Sequence, residues 1–204
     1  VYNLGWRSGP NGSMALGQSL HKTLDAYLAG SNTEYALDRL MELYDQHWVN
    51  EGFASPQQTM EIYERGRHML ENFFRIDSQR ATTVIATEKE FNIPIDNDVH
   101  FRGTIDRLDR LSNGSTQIIE YKTNADRWNQ ERCDNDTQMT LYALGVGQLE
   151  GTTPKLKYYF LSTGDSIETQ RTVEQMQHAK SVLIAVAGDI RSGITAPNHA
   201  YCAR

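Results

Sequence analysis

Cysteine is scarce in this chain of 204 residues, which contains only Cys133 and Cys202. Two thiols provide neither a disulfide framework nor a complete metal site. The sequence also lacks an apolar run long enough to span a bilayer, and its first residues lack the basic and then apolar order of a secretion signal. We therefore expect a cytoplasmic protein with no part in a membrane.

Positive charge is not in excess either. The chain has 20 Lys and Arg residues against 26 Asp and Glu residues, a net charge of −6 at pH 7. The total charge therefore gives no sign of nucleic-acid binding, although a local basic surface can coexist with an acidic total. The length predicts one domain over residues 1–204, with peripheral segments at 1–13 and 194–204.

Residues 101–122 predict a β-hairpin. Its turn lies at the Asn-Gly pair of residues 113–114, because this pair accepts the positive φ angles of a tight turn. Pairing outward from this turn places Asp106 opposite Glu120 or Tyr121.

Two carboxylates and one ammonium group come together in this hairpin. Glu120 and Lys122 are two residues apart on one strand and so share a face, which Asp106 reaches from the other strand. Carboxylates on adjacent strands repel unless a positive group lies between them, and a divalent cation with oxygen ligands meets that need. The alternative is a solvated face with a surface ion pair, worth less than about 1 kcal/mol.

A helix is predicted over residues 14–29. Leucines recur every four residues, at Leu16, Leu20, Leu24 and Leu28, and Gly30 follows as a stop. His21 lies one residue away from this apolar row. It is either a packed, hydrogen-bonded core residue or part of a metal or active site.

Two more helices follow, one from the capping segment 31–34 to about residue 48 and one from Ser55-Pro56 to about residue 76. The third helix and its exit are rich in basic side chains: Arg65, Arg67, His68, Arg75 and Arg80. These form either a solvated face or a track for phosphates.

Residues 82–95 alternate as a strand that contains Glu88. This glutamate is either exposed on the strand or directed at the patch formed by the hairpin. After the hairpin, a polar connection contains Arg127, Trp128 and Arg132. An aromatic side chain between arginines either stacks on an unpaired base or covers the edge of the sheet.

A helix capped by Asp134 or Asp136 presents Gln138 and Tyr142, four residues apart, on one face. A strand at 155–161 and a helix at about 172–190 complete the order. The prediction is an α/β fold: a mixed sheet of about four strands flanked by helices, with a helical N-terminal part and a parallel strand after the crossover helix.

Several motifs occur in order along these elements: Gly17-x-x-x-His21, Glu88, Gly103-x-x-Asp106-Arg107, Glu120-x-Lys122 and Gln138-x-x-x-Tyr142. The set resembles the PD-(D/E)xK nuclease superfamily, and is most similar to its RecB-like branch, over about residues 14–190. The resemblance implies a restriction-endonuclease-like fold.

The resemblance also implies roles for individual residues. The implied metal ligands are His21, Asp106, Glu120 and the backbone carbonyl of Tyr121. The implied catalytic set is Glu88, Asp106, Glu120, Lys122, Gln138 and Tyr142, with Glu90 as the alternative to Glu88. Lys122 would orient the attacking water or stabilise the charge of the phosphate. The expected contacts to nucleic acid are Arg107, Arg127 and Trp128.

The activity implied by the resemblance is hydrolysis of DNA phosphodiester bonds with one or two Mg²⁺ or Mn²⁺ ions. We expect an exonuclease that acts on DNA ends or single strands in recombination, repair or DNA processing. We also expect a domain cut from a longer protein, with a helicase domain or subunit as its partner. The alternative is a non-catalytic DNA-binding or scaffolding domain of a helicase–nuclease complex.

An iron–sulfur cluster is not expected in this chain. Many RecB-like nucleases hold such a cluster with four thiolates. Two cysteines cannot supply four ligands.

Overall fold

A computed structural model describes residues 11–29, 36–124 and 128–193. The elements in chain order are α1 (Gly12–Leu28), α2 (Leu37–His47), α3 (Pro56–Asp77), β1 (Thr83–Asp96), β2 (Val99–Arg110), β3 (Thr116–Lys122), α4 (Gln130–Asp134), α5 (Thr137–Glu150), β4 (Lys155–Phe160), β5 (Asp165–Thr169) and α6 (Val173–Arg191). Within these ranges, no helix has the length and hydrophobicity that a transmembrane span requires.

Local sequence explains where the helices begin. Asn11, Ser55, Asp136 and Thr172 each cap a helix by accepting a hydrogen bond from a backbone N–H in its first turn. The predicted cap of α2 in residues 31–34 lies outside the described residues. Of the two candidate caps for α5, Asp136 is the one that the structure uses.

The sheet has the strand order β1-β2-β3-β4-β5. The β3–β4 pair is parallel and the other pairs are antiparallel. A crossover through α4 and α5 joins the two parallel strands, which confirms the predicted mixed sheet. The sheet has five strands, one more than the predicted number of about four. The additional strand is β5, which pairs with β4 at the edge of the sheet.

The hairpin between β2 and β3 confirms its predicted turn. Gly114 has a φ of 84°, and the side chain of Asn113 accepts hydrogen bonds from the N–H and hydroxyl of Ser115. The strands pair from Arg110 with Thr116 back to Arg107 with Ile119.

Two apolar cores lie on the sheet. One joins α5 to strand residues such as Phe91, Ile118 and Tyr158. The other joins α1, α2 and α3 to residues such as Tyr121 and Tyr159. Alternate residues of β3 thus contribute to different cores, as expected for a strand covered on both faces.

Close packing between α2 and α3 gives a first prediction. A Cβ atom on Gly66 would lie 2.0 Å from the hydroxyl oxygen of Tyr44 and 2.8 Å from Leu16 Cδ1, and both side chains are fully buried. We expect Gly66→Ala to lower the free energy of unfolding, measured in urea, by about 1–3 kcal/mol through overpacking.

Gly188→Ala is the matched control, since a Cβ on this glycine of α6 would meet none of the described atoms within 4 Å. Alanine is the better helix former, so this variant should gain about 0.5–1 kcal/mol. Equal changes in the two variants would contradict the packing described at Gly66.

Candidate metal and phosphodiester site

Three acidic residues lie side by side on three neighbouring strands. Glu88 on β1 is opposite Asp106 on β2, because the pairs on either side of it join residue 87 to 107 and residue 89 to 105. One position beyond the last β2–β3 pair, Asp106 lies alongside Glu120 of β3. The prediction that the hairpin brings Asp106 and Glu120 together is therefore consistent with the register.

Asp106 is held from two directions. Its Oδ2 accepts a hydrogen bond of 2.8 Å from the backbone N–H of Tyr121, and its Oδ1 lies 3.2 Å from Nδ1 of His21. The N–H and C=O of one strand residue point to the same side of the strand, so the carbonyl of Tyr121 also faces Asp106. This orientation agrees with the expected use of that carbonyl as a ligand.

The imidazole of His21 comes from α1, whose leucine row is buried against the N-terminal core. Its Nδ1 also lies 3.7 Å from Glu88 Oε1. Burial by itself would lower the pKa of His21, but the adjacent carboxylates of Asp106 and Glu88 raise this pKa to about 10. Without an ion, the protonated ring offsets the charge of the two carboxylates; a bound cation would take the place of this proton.

His21, Glu88 and Asp106 form a group that can hold a metal ion. One ligand atom from each residue can be chosen so that all three lie within 4.8 Å of one another. Glu90 is exposed and pairs with Thr104. The structure thus places Glu88, rather than its alternative Glu90, beside His21 and Asp106.

The backbone of Glu88 is strained. Its φ is 41°, the only positive φ of a residue other than glycine in the described ranges. Such strain persists where the surroundings hold the residue firmly, and it is common at functional sites. Next to it, the hydroxyl of Thr87 donates a hydrogen bond of 2.5 Å to Asp25 of α1.

Glu120 and Lys122 form the other half of the site. Lys122 Nζ lies 2.9 Å from Glu120 Oε1, and the same oxygen accepts a hydrogen bond of 3.1 Å from Gln138. The amide of Gln138 also donates to the hydroxyl of Tyr142 at 3.0 Å. Gln138 and Tyr142 lie on one face of α5, as predicted, and Gln138 connects this face directly to β3.

A buried carboxylate oxygen here lacks a partner. Oε2 of Glu120 has no hydrogen-bond partner among the described residues, although burial of such an atom is costly. Burial and the nearby charge of Asp106 raise the pKa of Glu120 to about 7, against the opposing effect of Lys122. A divalent cation bound to Asp106 and Glu120 would satisfy this oxygen and relieve the repulsion, so these residues fit such an ion.

Arg107 requires a correction. Its guanidinium is 2% exposed, forms two hydrogen bonds to the carboxylate of Asp109 at 2.6 and 2.7 Å, and donates to Asp77 Oδ1 at 2.7 Å. A fully engaged, buried side chain cannot contact nucleic acid. The prediction that Arg107 binds nucleic acid is therefore wrong in this structure.

Trp128 lies against the sheet. Its ring packs at 5.4 Å from that of Tyr158, Lys122 Nζ lies 4.8 Å from its centroid, and Arg132 Cζ lies 4.0 Å from it. These contacts favour the covering role over the stacking role that the sequence left open. Arg127 lies outside the described residues.

Two supporting contacts were not predicted from the sequence. Asp136 accepts a hydrogen bond of 2.7 Å from the hydroxyl of Tyr158 and so ties the start of α5, which carries Gln138, to β4. Asp25, which binds Thr87, is four residues after His21 on α1. Residues 21 and 25 are four apart and so share one face of α1, and this spacing could have predicted the second contact.

Comparison with known proteins gives matches to nucleases. A family model described as the PD-(D/E)XK nuclease superfamily matches residues 1–204. One subunit of the ATP-dependent helicase/deoxyribonuclease of Streptococcus agalactiae is 28% identical over 158 residues, which cover 78% of this chain and 12% of that protein. The equally named protein of Streptococcus pyogenes is 29% identical over 119 residues, covering 55% and 11%.

Among solved structures, the crystal structure of SSO0001 aligns with a TM-score of 0.43 and 16% sequence identity, over 90% of this chain and 88% of that one. The chain spans only 12% of the length of the curated relative from S. agalactiae.

Proposed function

Because this chain belongs to the PD-(D/E)XK nuclease superfamily, we propose that it is a divalent-metal-dependent deoxyribonuclease that hydrolyses DNA phosphodiester bonds. The observation that carries the proposal is the convergence of His21, Glu88 and Asp106 within 4.8 Å, next to the Glu120–Lys122 pair. We further propose an exonuclease acting on DNA ends or single strands, in recombination, repair or DNA processing.

In this proposal, Asp106, Glu120, His21 and the carbonyl of Tyr121 would hold the ion, with Glu88 in the outer part of the site. One or two bound ions would neutralise charge on the scissile phosphate and activate water. Oxygen ligands suit both Mg²⁺ and Mn²⁺, and an imidazole ligand favours Mn²⁺.

The remaining residues orient the reacting groups. Lys122 presents a compact ammonium group that can contact the attacking water and a phosphate oxygen, and the cation–π contact with Trp128 fixes its direction. Gln138 holds Glu120 Oε1 in place, and Tyr142 in turn accepts a hydrogen bond from Gln138. These contacts fix the geometry on which positioning of the phosphate depends.

The relatives are named as parts of a helicase/deoxyribonuclease, so we propose that a helicase domain or subunit works together with this chain. The single domain over residues 1–204 and a cytoplasmic location belong to the same proposal. The absence of an iron–sulfur cluster also stays a prediction: Cys133 is a buried free cysteine, and Cys202 lies outside the described residues.

The test is digestion of end-labelled single- and double-stranded DNA. We expect cleavage with Mn²⁺ or Mg²⁺ and none in EDTA, because the clustered carboxylates need the ion to hold the phosphate. A circular single strand should resist cleavage if the enzyme requires an end. Absence of cleavage with both ions would favour the alternative, a DNA-binding or scaffolding domain without catalysis.

A further inference from the structure

A groove of about 420 Å³ opens beside the proposed catalytic site. It lies between α1, α3, the segment after β3 and the turn between β4 and β5. Its volume falls within the range of about 300–1,000 Å³ that is typical of ligand sites. None of the roles proposed above uses it.

The groove has an apolar base and a polar, cationic border. The buried side chains of Leu16 and Met69 form part of its lining. The other lining residues are polar or basic: Ser13, Arg65, His68, Thr123, Asn124 and Ser162. None of the described residues that line the groove is acidic. A ligand with an apolar body and a negative charge matches this lining.

Arg65 is the strongest candidate for contact with an anion. It is exposed, and it forms no hydrogen bond or ion pair with any residue in the described part of the chain. His68 lies three residues later on the same face of α3, where its Nδ1 is 3.1 Å from Glu71 Oε2. Arg65 is therefore free to bind a phosphate, whereas His68 already has an acidic neighbour.

The groove is connected to the proposed metal site along α1. Ser13, Gly17 and His21 are four residues apart and form one row on the helix. A Cβ atom on Gly17 would lie 3.6 Å from Thr123 Oγ1, and Thr123 directly follows Lys122. Gly17 and Thr123 are therefore neighbours, and the groove adjoins the end of β3 that carries Lys122.

We propose that this groove binds one nucleotide unit of an unpaired DNA strand next to the scissile bond, with Arg65 contacting its phosphate. The sugar or base packs on Leu16 and Met69, and the strand continues past Thr123 towards Lys122 at the site. The proposal rests on the nuclease function proposed above. It states that the DNA on this side of the site is a single strand and not a duplex.

The first test measures binding, which does not require activity. In EDTA, the affinity for a labelled single-stranded oligonucleotide should fall by about tenfold in Arg65→Glu, the effect expected for loss of one charge-assisted contact. In Arg65→Ala, the slope of log affinity against log salt should become shallower by about 0.7, the value for one phosphate contact on a single strand.

Lys155→Glu provides the matched charge reversal. Lys155 is exposed at the start of β4, the end of that strand opposite to the groove, and its reversal should leave binding unchanged relative to wild type. Equal binding by wild type and Arg65→Glu, or equal losses in both reversed variants, would overturn the proposal.

The second test separates the groove from the chemistry. Bis(p-nitrophenyl) phosphate presents a scissile ester with no sugar, no base and no second phosphate, so it cannot place a phosphate at Arg65. We expect Arg65→Glu to lose about tenfold in kcat/KM on the oligonucleotide and nothing on this ester. Equal losses on both substrates would overturn the proposal. Wild type that cleaves neither substrate would refute the proposed nuclease function, while the binding test would still decide the groove.

Discussion

Asp106→Ala is expected to reduce cleavage of DNA by at least about 10³-fold, the upper range for loss of one electrostatic contact to a transition state. Asp106 has a central position in the site, because it lies beside His21, Glu88 and the backbone of Tyr121. Without it, the proposed ion loses a ligand that bridges β2 and the end of β3. The measurement is the initial rate on a labelled oligonucleotide with Mn²⁺.

The control must show that the fold survives. Asp106→Asn keeps an oxygen to accept the hydrogen bond from Tyr121 but loses the charge, so it should be equally inactive and should unfold cooperatively on heating. Asp96→Asn changes an exposed carboxylate at the far end of β1 and should leave the rate unchanged. Full activity in Asp106→Ala would refute the proposed role of this carboxylate.

Arg107→Met is expected to lower the free energy of unfolding by about 3–5 kcal/mol, because it leaves the buried carboxylate of Asp109 without its cationic partner. Asp109 is fully buried and Asp77 is 6% exposed, and both form ion pairs with the Arg107 guanidinium. A loss of this size is a large share of the ~5–15 kcal/mol that stabilises a typical domain. Urea unfolding at low temperature would measure it.

Arg110→Met is the matched control on the same strand. Arg110 is exposed and donates hydrogen bonds to Gly114 and Thr116 near the turn, so its loss should cost less than about 1 kcal/mol. If Arg107→Met does not fold, adding Asp109→Asn should restore much of the stability by removing the unpaired charge. Unchanged stability combined with weaker DNA binding would instead reinstate Arg107 as a contact to nucleic acid.

The hairpin between β2 and β3 was predictable from the sequence. The Asn113-Gly114 turn is a local signal, and once the turn is known the pairing follows by counting along both strands. The convergence of Asp106 and Glu120 follows from the same count. The start of α3 at Ser55-Pro56 was also predicted, since it depends on residues within one turn.

Elements whose signal is not local were missed. β5 consists of only five residues, Asp165–Thr169, with two buried side chains, and it is a strand because β4 lies beside it. α4 is a short helix that overlaps the end of the stretch that was predicted as a polar connection. Neither segment is long enough for hydrophobic periodicity to identify it.

The error at Arg107 has a similar cause. Its main partner outside β2, Asp77, is 30 residues earlier at the end of α3, and nothing in the sequence near Arg107 reveals that contact. In the sequence alone, an arginine next to a predicted ligand resembles a contact to phosphate. The sequence could not decide between Glu88 and Glu90 for the same reason, because the answer depends on where α1 places His21 relative to β1.

The origin of His21 has a consequence for motion. Of the proposed ligands, only this imidazole comes from α1, while the carboxylates come from the sheet. Local opening of the N-terminal helices would withdraw one ligand and leave the others in place. Ion binding should therefore slow amide hydrogen exchange in α1 by favouring its docked state, so that the helical layer and the cation stabilise each other.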